Sequence, residues 1–249
     1  MYSGSEVIET WIPDGGFRIT KRRLQIAHHG IVVAECLVPK WDNAELTAIR
    51  PCEVQPCLHH VFADSAADPH SIARLASHYG LLTTSITRRP APGEVVAARI
   101  LPPEPIDLWR ALVRELQACA GLWDTIRVGH GSLSARAALG ARLTARLGAN
   151  LARLRFALTA RFVDNGRAPF QLRYRPSTLA GALWQRFAEE VAGLICCVRC
   201  PAPKCGRWFL VGDATRHDKQ YCSGACRSRT FREKARSAGY PDASPGIGS

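Results

Sequence analysis

Between residues 6 and 60 the apolar positions fall in short runs, Gly16-Phe-Arg-Ile-Thr20 and Ile31-Val-Val-Ala-Glu-Cys-Leu-Val38, with turn signals at Asp14-Gly15-Gly16 and around Pro39. Runs of this length bounded by glycine and proline predict a small β-sheet. The period then changes. Asp68-Pro69 supplies an N-cap and a proline at the first helical position, and Ile72, Leu75, Ala76 and Tyr79 continue at helical spacing to Gly80. The Pro-rich stretch from Pro90 to Pro105 reads as a linker. Beyond it, Ile106, Trp109, Leu112, Val113 and Leu116 mark an amphipathic helix, and Leu139, Leu143 and Leu147 mark another. Phe156 to Val163 and Phe170 to Tyr174 flank Asp164-Asn165-Gly166, a hairpin-turn signal. Ser177 is placed to cap a last helix carrying Leu179, Leu183, Phe187, Val191 and Leu194 on one face. The pattern predicts an α+β body over residues 1–195, with helices dominating its second half.

The chemistry is concentrated after that body. Cys200-Pro-Ala-Pro-Lys-Cys205-Gly-Arg-Trp-Phe-Leu and Tyr221-Cys222-Ser-Gly-Ala-Cys226 place two close cysteine pairs a hairpin's length apart. That spacing lets four thiolates converge tetrahedrally on one Zn²⁺. Gly206 permits the left-handed backbone of a metal-binding knuckle, and Trp208-Phe209-Leu210 reads as a short strand. Ser223 can cap a helix with Cys222 just before it and Cys226 in its first turn, where the helix N-terminus favours thiolates. Two disulfides or four buried thiols are the alternatives. Cys197-Val-Arg-Cys200 is a competing first pair, but the knuckle glycine and the strand follow Cys205, which favours Cys200 with Cys205. Cys196 and Cys197 are then expected at the end of the preceding helix or in its connection. The reading is a treble-clef-like zinc finger over 196–238 and a disordered low-complexity tail over 239–249.

The stretch from Cys200 to Arg236, with Cys-x4-Cys-Gly-Arg-Trp-Phe, then Tyr-Cys-Ser-x-x-Cys-x-x-Arg and a basic tail, resembles the CGNR-type zinc finger at the C-terminus of bacterial transcription regulators. The resemblance covers about 40 residues and implies a zinc module that contacts DNA. Arg227 and Ser228 stand where that family has Gly and Asn, so only Cys226 and Arg229 match the name-giving motif.

Charge points toward nucleic acid as well. Of the formal net charge of +12 over 249 residues, Arg199 to Arg236 carries ten Lys/Arg against three Asp/Glu. On a helix Arg229, Arg232 and Arg236 share a face, and with Arg227 and Lys234 they are the expected phosphate contacts. A solvated basic face that offsets a four-thiolate zinc site is the plainer alternative.

Hydrophobic content of 47% is enough for one substantial core plus a small module, and no apolar run approaches membrane-spanning length. With no signal-peptide pattern at the start, a cytoplasmic, reducing compartment is expected. There is no phosphate-cradling glycine motif, no G-x-S-x-G and no H-E-x-x-H, so no enzymatic activity is expected. Cys52-x4-Cys57-Leu-His59-His60 gathers four donors, but adjacent histidines of a strand or turn point apart and no second cysteine pair completes a pattern, so no second metal is expected there. His28, His29 and His78 have no partner arrangement. Cys36, Cys119, Trp109, Trp123 and Trp184 read as core. The chain is therefore expected to be a regulator whose body senses a ligand or forms a homodimer and whose finger meets DNA or RNA. The alternatives are a protein-interaction module and, more remotely, a metal-dependent nuclease using His217, the finger's one histidine.

Overall fold

The structure, a computed structural model, describes residues 10–26, 30–40, 46–83, 101–129, 131–153, 156–161, 171–211 and 219–237. Two compact units divide the chain, residues 1–192 and 193–249. Both helices and strands build it, as an α+β pattern requires.

In the first unit, β1 (Thr10–Pro13) pairs antiparallel with β4 (Leu46–Ile49). A hairpin of β2 (Phe17–Ile26) and β3 (Gly30–Pro39) runs in register from Phe17 opposite Pro39 to Ile26 opposite Gly30, and β5 (Glu104–Pro105) joins the other edge of β3. Between β1 and β2 the chain turns at Gly15 and Gly16, both with positive φ. A Cβ at Gly16 would lie 2.5 Å from Ser77 Oγ, and that hydroxyl accepts from the Phe17 amide at 3.0 Å and donates to the Ala73 carbonyl at 2.8 Å. The glycine lets the sheet approach the helix that carries Ser77.

That helix is α3 (Pro69–Tyr79), which begins where Asp68-Pro69 predicts, because the Asp68 carboxylate accepts from the His70 and Ser71 amides at 2.9 and 3.0 Å. The end of the stretch expected as sheet, up to residue 60, is instead occupied by two short helices. Pro51 starts α1 (Pro51–Val54), and α2 (Leu58–Ala63) buries Leu58 and Phe62 four residues apart, which fits a helix face and not an alternating strand. Two long helices follow, α4 (Ile106–Val128) and α5 (Leu133–Ala152), and then the β6 (Phe156–Arg161) and β7 (Gln171–Pro176) hairpin and α6 (Leu179–Val191). The Asp164-Asn165-Gly166 turn lies outside the described residues. Thr178, not Ser177, caps α6, its hydroxyl accepting from the Gly181 amide at 3.1 Å. Leu194 falls beyond the helix end and is 55% exposed, so the apolar face stops at Val191.

The core joins Phe17 and Leu37 of the sheet to Phe62, Trp109, Leu116, Leu143, Leu183 and Phe187 of the helices. Trp109 stacks on Phe62 with ring centroids 5.8 Å apart. Trp109, Trp184, Cys36 and Cys119 are buried as expected, and burial pushes the Cys119 thiol up to about 11. The end of the Pro-rich stretch is not merely a linker. Glu104 is 2% exposed, and its carboxylate accepts from the Leu82 amide, the Thr83 amide and hydroxyl, and the Trp109 indole N–H, at 2.6–2.9 Å. A carboxylate can be buried there because four donors replace its water.

The second unit consists of the β8 (Cys196–Arg199) and β9 (Trp208–Val211) hairpin followed by α7 (Gly224–Ser237). Its core is small: Cys200, Ala202, Phe209 and Cys226. Cys196 and Cys197 lie on β8, and not at a helix end, because their pairing with Val211 and Leu210 extends the hairpin. Among the described residues, no helix is long and apolar enough to cross a membrane.

Candidate metal centre and basic helix

Cys200 follows β8, Cys205 precedes β9, Cys222 precedes α7, and Cys226 lies in the first turn of α7. The knuckle between the first two is held by the Cys200 amide donating to the Arg207 carbonyl at 2.9 Å and the Cys205 amide donating to Ala202 at 3.0 Å. Lys204 and Gly206 both take positive φ, +59° and +58°. The glycine adopts that conformation without strain, as its sequence position anticipates, whereas Lys204 bears the cost of a Cβ in the left-handed region. Arg199 Nε donates to the Gly206 carbonyl at 3.2 Å and steadies the same turn.

The four sulfurs lie within 4.8 Å of one another and form a group that could bind a metal ion. Cys205, Cys222 and Cys226 stand 3.5–3.6 Å apart, Sγ to Sγ. A tetrahedral ion with Zn–S bonds of about 2.3 Å sets its ligands about 3.7 Å apart, so the donor set fits with shifts of a few tenths of an ångström. Cys197 is not in this group. All four cysteines are free, so the alternative of two disulfides among them does not hold.

Ser223 caps α7, and the Cys226 amide donates to its hydroxyl at 3.3 Å. The Ser223 hydroxyl, followed by the neighbouring thiols, brings Cys226 down to about 7. Cys222, expected to be lowered by the same helix end, is instead pushed up to about 12, first by burial and then by the neighbouring sulfurs. Four coexisting thiolates require a cation among them.

From this centre runs α7, with Cys226 as its one buried residue among those described. Arg227, Arg229, Arg232, Lys234 and Arg236 are all exposed, against a single acid, Glu233. Arg229, Arg232 and Arg236 share a face at helical spacing. Arg229 has a second attachment, donating from Nη1 to the Pro203 carbonyl at 3.2 Å, so it braces the knuckle as well as presenting charge. Lys219 sits 5.3 Å over the Phe209 ring. Phe231 is 67% exposed among the basic residues. His217 lies outside the described residues, as do His28 and His29.

In the first unit the structure corrects one expectation. His59 and His60 do not point apart: α2 directs both Nε2 atoms at the same carboxylate oxygen of Glu190 on α6, each at 2.7 Å. All three residues are buried. Burial alone would raise Glu190, but the two imidazole hydrogen bonds outweigh it and bring the carboxyl down to about 2, while burial lowers His59. Cys52, the first donor of that sequence stretch, sits instead beside Arg186 and Glu189. The sequence could not reveal the cluster, because Glu190 lies 130 residues from His60 and no local pattern joins them.

No protein-family model, curated protein or solved structure matches the chain.

Proposed function

We propose that the protein is a zinc-dependent transcription regulator that contacts DNA through its second unit, working by binding and not by catalysis, in the cytoplasm. The observation that carries this reading is the seating of a basic helix directly on a four-cysteine centre. Cys226 is at once a member of the sulfur group and the buried foot of α7, so a bound ion fixes the root of a helix that exposes five Lys/Arg against one acid. A positive, exposed helix meets the spaced phosphates of a duplex by releasing counterions. The CGNR-type resemblance of Cys200 to Arg236 supports the same reading. Zinc is the proposed ion because four thiolates at tetrahedral spacing suit it.

The test is metal analysis joined to salt-dependent binding of duplex DNA, single-stranded DNA and RNA. The reading expects tighter binding by the zinc-loaded protein and a steep fall of affinity with salt. Equal binding with and without the ion, or none at low salt, overturns it.

One observation favours a second reading, a protein-interaction module: Phe231 presents an aromatic ring to solvent on α7. Exposed aromatics anchor protein interfaces. If Phe231→Ala abolishes binding to a partner protein while DNA affinity is absent from the start, this reading replaces the first.

A further inference from the structure

We infer that His59, His60 and Glu190 form a second metal site in the first unit, one that takes a divalent transition ion of the zinc type. Its three donors are distinct from Cys200, Cys205, Cys222 and Cys226.

Three features carry it. The first is convergence. Neighbouring residues on a helix project about 100° apart, yet the two rings swing together, with centroids 4.5 Å apart, until both Nε2 atoms face one oxygen. A carboxylate needing only solvation gains little from concentrating two imidazoles on one atom while the other stays bare. Glu190 Oε1 is buried with no hydrogen-bond partner, and Arg127 approaches it only to 3.7 Å.

The second is dryness. His59, His60 and Glu190 are each 2–3% exposed, and His59 packs against Phe187. Buried polar groups are normally satisfied, and the orphaned Glu190 Oε1 marks a place whose chemistry is incomplete as protein alone.

The third is the donor set. Two imidazole nitrogens and one carboxylate oxygen are a donor set that zinc takes, and they also suit iron, nickel or copper in the divalent state. Donors about 2.1 Å from a tetrahedral ion stand about 3.4 Å apart. The two 2.7 Å contacts would therefore open by about 0.7 Å. A dication would also balance a buried carboxylate that a partly exposed Arg127 serves only at a distance.

The experiment separates this site from the cysteine centre by stoichiometry. The 249-residue chain is loaded with Zn²⁺, freed of excess, and analysed for metal. A variant with Cys200, Cys205, Cys222 and Cys226 all replaced by Ser is treated in parallel. The inference expects about one ion per chain in this four-serine variant, released when His60→Gln or Glu190→Gln is added. It also expects Zn²⁺ to raise the melting temperature of the four-serine variant, with that rise absent after His60→Gln. Because a buried-site variant can lose its fold, near-ultraviolet circular dichroism accompanies each one. If those variants do unfold, the thermal response of the four-serine parent decides alone. No retained zinc and no Zn²⁺-dependent melting shift in that parent overturns the site, as does full retention in folded His60→Gln and Glu190→Gln.

Discussion

Trp109 donates its indole N–H to Glu104 at 2.6 Å, and so ties the first turn of α4 to the strand residue that precedes it. The same carboxylate holds the amides of Leu82 and Thr83, so one side chain fastens three stretches of chain around a buried negative charge. Glu104→Ala would leave those donors buried and unpaired. We expect it to lower unfolding free energy by about 3 kcal/mol or more, measured by urea denaturation. A loss under about 1 kcal/mol would show that water replaces the carboxylate.

Removing the ion should dismantle the second unit. Two of its four core residues, Cys200 and Cys226, belong to the sulfur group. A strong chelator, or Cys226→Ser, should abolish amide-exchange protection in β8, β9 and α7, because ligand binding and folding are one event in so small a core. Protection that survives chelation would argue against a metal centre.

The arginines of α7 should separate into two classes. Arg232→Ala with Arg236→Ala should leave metal content unchanged and lower DNA affinity, with the slope of log K against log salt shrinking by about 0.9 for each phosphate no longer neutralised. Arg229→Ala should in addition loosen the Pro203 knuckle, seen as faster zinc release to a chelator. Unchanged slopes in both would sink the nucleic-acid reading.

Acid should erase the advantage of Asp68. Hydrogen bonds from Ser71 and the first-turn amides hold its carboxyl below the ordinary value, so the ionised form is the one that stabilises the fold. That contribution is complete above the unfolded aspartate pKa of about 3.9 and disappears as pH falls through the depressed folded value. Wild type should melt above Asp68→Asn at neutral pH, and the gap should close in strong acid. A gap independent of pH would locate the effect in the cap's shape.

What the sequence disclosed depended on distance along the chain. The start of α3 was legible because Asp68, Pro69 and the amides they serve are neighbours, and the four cysteines because two close pairs bring their own turns. Glu104 was hidden by the prolines around it, which disguise a strand residue as linker. The His59–His60–Glu190 cluster was invisible, since it exists only once α2 packs against α6. The N-cap of α6 moved by one residue, from Ser177 to Thr178, because both are competent caps and only the backbone dihedrals choose between them.

Fourteen residues of α7 extend about 21 Å, and Cys226 at the foot is the one buried among them. Such a helix is a cantilever. Beyond the Pro203 brace no buried side chain of α7 resists fraying, and short helices without tertiary packing are marginal in water. Its outer turns should therefore firm up only against whatever surface the protein meets, so that each encounter includes an ordering step. Affinity would then be tuned by helix propensity at positions that touch no partner, and Ala235→Gly, on an exposed turn, becomes a dial for binding strength.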